Sequence, residues 1–198
     1  MATSYSNQLY CSNSTAAIFR AWATFIHNVF MLGFVNVTDA AQIDLATVAA
    51  PATTVTSMGF KIYRTNDALT PVYLKVEFGS GATALQPAIW VTIGTSYTLG
   101  GTMGGVILYN RVYLSNGANG TVSYQVCFGS GATNRVCLAM FLSAASYPFW
   151  FSFERRKDAN IADPIPALLS IVVGGLPHIH RNARLLLALS QPLSWVCK

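Results

Sequence analysis

The chain has 198 residues, 53% of them hydrophobic and only 10% charged, with a formal net charge of +5. Ordinary soluble domains carry about 25% charged residues, so a chain this apolar is expected to need a cover, either lipid or protein. Its longest apolar stretches, residues 167–176 and 18–34, fall short of the ~20 predominantly apolar residues of a membrane helix, and Arg20, His27 and Asn28 interrupt the second. No membrane partner is expected; other protein subunits are.

Residues 1–15 lack the positive start and apolar core of a secretory signal. The four cysteines, Cys11, Cys127, Cys137 and Cys197, form no CxxC and match no zinc module. Cys127 and Cys137 flank a glycine loop that a disulfide would bridge, but without export all four are expected to be reduced, small apolar groups. For the same reason the sequons at Asn13, Asn36 and Asn119 carry little weight.

The first predicted element is an amphipathic helix. Ser14 and Thr15 offer N-caps, Ile18, Phe19, Trp22, Phe25, Ile26, Val29 and Phe30 recur at steps of three and four, and Gly33 offers a C-cap. Arg20, Thr24, His27 and Asn28 form its other face, with His27 expected to be exposed. The stretch after Phe34, through residue 57, reads as short extended segments and loop. Residues 58–67 alternate as a strand, and Asn66–Asp67 signals a turn into the next one, so the two are expected to form a hairpin.

The hexapeptide FGSGAT then appears at residues 78–83 and again at 128–133. Each copy closes a strand of period two: Val72, Leu74, Val76 and Phe78 match Val122, Tyr124, Val126 and Phe128 in register. Neither copy carries the Lys of a P-loop or a helical pattern after it. Two equivalent strand-to-loop junctions are the favoured reading, ahead of chance and of a shared ligand loop.

Residues 88–94 form a further strand-like run, followed by a glycine-rich loop over 94–105, a strand over 106–114 and the turn SNGANG. After the second echo strand come strands over 135–143 and 148–156. These seven runs predict a mainly β fold, an antiparallel sandwich or jelly-roll-like domain with an N-terminal amphipathic helix. The expected organisation is an N-terminal arm and helix over 1–34, a β-sandwich over 35–163 and a C-terminal extension over 164–198 at an interface.

Chemistry is hard to find. The seven acidic residues stand singly, there is no GxSxG elbow, and no nucleophile sits in a Cys/His setting. His178 and His180 form an HxH with no acidic residue after Asp163, leaving Cys197 as its local third ligand. No catalytic, cofactor-binding or metal site is assigned, and no cofactor is expected. Arg155, Arg156, Lys157, Arg181, Arg184 and Lys198 place six of the twelve basic residues near the C-terminus, but Arg181 and Arg184 lack interleaved aromatics, so nucleic acid is not expected as a partner.

Several segments carry a resemblance. TAAIFRAWATFIHNVF, QIDLATVAAP, MGFKIYRTNDALTPVYLKVEFGSG, PAIWVTIGTSYTLGGTMGG and PFWFSFERRKDAN, over residues 15–160, resemble small structural proteins of tailed-bacteriophage virions. The shared features are an R-x-W helix (Arg20, Trp22), a G-F-x-I-Y-R-x-x-D strand (Gly59 to Asp67), a Pro-led V-x-L-K-V-x-F-G strand from Pro71 and an E-R-x-x-D-A segment from Glu154. The resemblance implies a virion structural protein of head decoration, collar, fibre or tail-tip type. It would assemble in the host bacterial cytoplasm as a homo-oligomer with other virion proteins and carry no enzymatic activity. The alternative is a virion-surface module that binds a host glycan or receptor through Tyr97, Tyr109 and Tyr113. The sequence after Asp163 departs from the family pattern, which implies a further Asp/Gly-rich loop and strand there.

Overall fold

The computed structural model describes residues 2–65, 71–114, 119–129, 134–142, 149–156 and 168–174, with side-chain geometry for 8–65, 71–107, 109 and 114. The fold is mainly β, with one helix and two antiparallel five-stranded sheets among the described residues. In chain order the elements are β1 (Ala2–Ser12), α1 (Ala16–Met31), β2 (Val35–Asn36), β3 (Ser57–Arg64), β4 (Tyr73–Ser80), β5 (Pro87–Thr98), β6 (Thr102–Tyr113), β7 (Asn119–Gly129), β8 (Asn134–Leu142), β9 (Phe149–Arg156) and β10 (Leu168–Gly174). The first sheet runs β1-β7-β8-β9-β10 and the second β2-β3-β4-β5-β6.

The second sheet is a meander in which each strand pairs with the next in sequence. Its core face carries Tyr63 on β3, then Val72, Leu74, Val76 and Phe78 in and before β4, and Ile89, Val91 and Ile93 on β5, all buried. The buried positions in β4 are those the alternation predicts. Helix α1 covers this face with Phe19, Trp22, Ala23, Ile26, Val29 and Phe30. Trp22 meets Phe19 edge-on at 5.1 Å and Phe78 at 6.1 Å, and Phe30 meets Tyr63 at 5.4 Å. Burial of each large apolar side chain contributes roughly 1.5–3 kcal/mol, so this helix-on-sheet layer holds the described core together.

The helix begins as expected. Thr15 is extended and its hydroxyl accepts from the Ile18 amide at 3.2 Å. It ends one residue before the expected Gly33: the cap is Leu32, whose amide reaches the carbonyls of Val29 and Phe30. A tightened last turn satisfies these carbonyls without a left-handed residue. Among the described residues no helix is long and apolar enough to cross a membrane, which says nothing of strands.

Several features lie beyond the sequence expectations. Residues 2–12, expected as an arm, form β1 and pair along their whole length with β7, from Ala2↔Gly129 to Ser12↔Asn119. In the expected C-terminal extension, β10 pairs with β9, Leu168 opposite Arg156. The glycine-rich segment 94–105 is not a loop: β5 and β6 continue through it to a turn at 99–101, with a register shift at Ile93/Gly94. Its glycines allow close strand contact, since a Cβ on Gly94 would lie 2.5 Å from the Gly104 carbonyl oxygen. The hairpin of β3 and β4 is present, while its Asn66–Asp67 turn, the loop of the second echo and the HxH pair lie outside the described residues.

Candidate functional site

Two places bring polar and aromatic groups together. The first is the FGSGAT junction after β4. Gly79 is essential to it, because a Cβ there would sit 1.9 Å from the Thr56 carbonyl oxygen. The Ser80 amide donates to Thr56 O at 3.0 Å, the Gly81 amide to Gln86 O at 2.7 Å, and the Ala82 amide to Gln86 Oε1 at 2.8 Å. A phosphate cradle needs such amides free to point at an anion, and here all three are spent, two on Gln86 within the loop and one on distant Thr56.

Asn13, on the segment joining β1 to α1, closes this junction. Its Nδ2 donates to the carbonyls of Gly79, Ala84 and Gln86 at 3.1–3.2 Å, its Oδ1 accepts from Trp22 Nε1 at 3.2 Å, and its amide reaches Leu85 O. With 2% exposure, Asn13 is a buried clamp joining the N-terminal segment, the helix and the loop. Its sequon is thereby closed to glycan attachment in the folded chain. Asn36, only half-buried, has its Nδ2 committed as well, donating to Gln42 Oε1 at 2.9 Å and Ile62 O at 2.8 Å.

The second place is the outer face of the second sheet, with the β5–β6 hairpin folded onto it. Register sets Phe60, Glu77 and Trp90 in one row and Ile62, Lys75, Thr92 and Tyr109 in the next. Lys75 Nζ lies 3.7 Å from Glu77 Oε2 and 4.9 Å above the Phe60 ring. Gly101, at φ +84°, rests its backbone on the same ring, and a Cβ there would lie 2.5 Å from it. Tyr97 packs on Tyr73 with centroids 5.8 Å apart.

Asp39 fastens the hairpin tip. Its carboxylate accepts from the Tyr97 hydroxyl, from the Gly100 amide at 2.9 Å and from the Ala41 amide at 2.8 Å. These donors, Tyr97 foremost, hold its carboxyl below the ordinary range. Desolvation, then the hydrogen bond and charge of Asp39, push the Tyr97 phenol up to about 12. A carboxylate so fully occupied is an anchor rather than a general base.

Of the three tyrosines suggested for ligand stacking, Tyr97 is thus committed to Asp39 and Tyr73. Tyr109 is 62% exposed, and the Tyr113 side chain lies outside the described set. Leu99 at the tip is 72% exposed and Val106 on β6 is 53% exposed, making this hairpin the most apolar exposed element described.

His27 departs from its expected exposed position. It is half-buried, with Nδ1 2.8 Å from the hydroxyl of fully buried Tyr63. Burial, then the charge of Lys61, lowers its pKa, while burial raises that of Tyr63. The neutral ring and the phenol share one hydrogen bond, and the imidazole tautomer sets which of the two donates. Arg20 is likewise structural, donating to Val48 O at 2.8 Å and Thr47 O at 3.1 Å. Sequence reasoning missed the roles of Asn13 and Asp39. A buried asparagine following a strand and an acid in a short-range turn carry no distinctive spacing, so only the long-range contacts reveal them.

Among the described residues no group of three His, Cys, Asp or Glu side chains is placed to hold a metal ion. Comparison with protein families, curated proteins and solved structures finds no match.

Proposed function

We propose that this chain is a structural subunit of a bacteriophage virion, supplying symmetric contacts in the head, neck or tail and performing no chemistry. The observation that carries this reading is the β5–β6 hairpin, which exposes Leu99, Val106 and Tyr109 in a chain only 10% charged. Apolar groups presented on an ordered, anchored hairpin suit a contact surface between subunits. The commitment of Asp39 and of the FGSGAT amides to internal bonds supports a part that is built to be rigid. The segments resembling tailed-phage structural proteins supply the particle.

Two measurements test it. Light scattering after size exclusion, over a concentration series, is expected to give an oligomer. Mass spectrometry of nuclease-treated, gradient-purified phage from the producing lysate is expected to find the chain in particles. A monomer at every concentration that is also missing from particles overturns the reading.

Exposed Tyr109 favours one alternative, a surface module stacking a host glycan or receptor group. Under that reading, Tyr109→Ala abolishes glycan-array or cell-surface binding and leaves the oligomeric state unchanged.

A further inference from the structure

The pairing of β7 with β8 sets Cys127 directly opposite Cys137. We propose that these two cysteines are a reversible redox site, closing to a cross-strand disulfide that staples β7 to β8. Facing residues of an antiparallel pair have Cα atoms about 4.5 or 5.5 Å apart, depending on the pair type. Both values lie within the roughly 4.4–6.8 Å span of disulfides. The backbone register therefore already meets the distance requirement, and no strand has to slide.

The surroundings strengthen the case. Across the first sheet, the row through this pair reads Ser4, Cys127, Cys137, Ser152, Val172. On β1, Cys11 belongs to the core cluster and half-buried Leu9 packs against it. Cys11 provides a contrast within the same chain: it is fully buried, and burial pushes its thiol up to about 12, the setting of an inert cysteine. The inference rests on register alone and does not depend on the virion reading.

The chemistry is thiol–disulfide exchange with a small-molecule disulfide such as oxidised glutathione. One cysteine thiolate attacks a glutathione sulfur and expels one glutathione thiol, leaving a mixed disulfide. The facing thiolate then attacks the protein sulfur of that bond and expels the second. Two protein thiols are oxidised, one glutathione disulfide is reduced, and the two protons given up by the protein thiols end, through solvent, on the departing glutathione thiolates.

The experiment equilibrates the purified full chain in buffers of graded oxidised-to-reduced glutathione, blocks free thiols with N-ethylmaleimide and maps the peptides by mass spectrometry. The expected result is a Cys127–Cys137 linked peptide whose yield rises with the oxidised fraction and returns to zero on reduction, while Cys11 is alkylated only after denaturation. Cys127→Ser and Cys137→Ser should each eliminate that peptide, and the oxidation-dependent rise in Tm of the wild-type chain should vanish with it. Both thiols remaining alkylatable at the most oxidising ratio would overturn the proposal. So would linkage of either cysteine chiefly to Cys11, to Cys197 or to a second chain.

Discussion

Asn13 makes a test of the clamp that separates shape from chemistry. Asn13→Ala removes the donors to three carbonyls and the acceptor for Trp22, leaving buried groups unpaired at a cost of about 2–3 kcal/mol. Asn13→Asp keeps the shape but turns acceptor oxygens toward the same three carbonyls, so at neutral pH it should destabilise at least as much. Lowering the pH should recover part of that loss for Asp and none for Ala, as read by urea unfolding. Gly79 and Gly100 make a second pair. An added methyl at Gly79 strikes the Thr56 carbonyl, whereas nothing lies within 4 Å at Gly100, which carries only the strain of φ +91°. Gly79→Ala should cost about 3 kcal/mol or more and Gly100→Ala about 1–2 kcal/mol, measured by thermal unfolding. The motif itself was visible in the sequence; its role was not, because the atom that forbids a side chain belongs to Thr56, far away in the chain.

At the scale of elements, the β5–β6 hairpin depends on one carboxylate. Because Asp39 has a folded pKa below its ordinary value of 3.8, the anchor is fully present above that value and is lost as pH falls through the lowered one. The protection factor of the Gly100 amide in hydrogen exchange should therefore drop in acid. Asp39→Asn should flatten that dependence and lower protection at neutral pH. Strands with bulky alternation, such as β4, were readable because burial of one face is written into every second residue. The extension of β5 and β6 through 94–105 was not, because glycine marks both a loop and a close strand approach. Strand β1, Ala2–Ser12, was missed for a related reason: Ser, Thr, Asn and Gln dilute its alternation, and its partner β7 lies far along the chain.

For the whole molecule, the alternating runs and the helical stripe foretold a mainly β fold with a helical cover and left the layout of the sheets open, since strand order is decided by long-range pairing. Stability should follow His27. Its folded pKa lies below the ordinary 6.5, so the unfolded chain binds the extra proton first and stability falls as pH drops below about 6.5. In the protonated ring Nδ1 is a donor whatever the tautomer was, so the Tyr63 hydroxyl must then accept. His27→Gln should reduce the loss of Tm between pH 7 and pH 5. Association should follow the hairpin: a Leu99→Ser, Tyr109→Ser double variant is expected to shift the light-scattering mass toward monomer by at least tenfold in concentration, with far-UV circular dichroism unchanged.

The pairing of β1 with β7 also constrains how the chain is made. Strand β1 leaves the ribosome more than a hundred residues ahead of its partner β7, a delay on the order of ten seconds at ordinary rates of synthesis. The meander of the second sheet meanwhile closes neighbour by neighbour, and α1 can settle on it. During that interval the nascent β1 must stay unpaired without sticking to other chains. Its run of small polar residues, so uninformative as a strand signal, is the composition that such waiting demands.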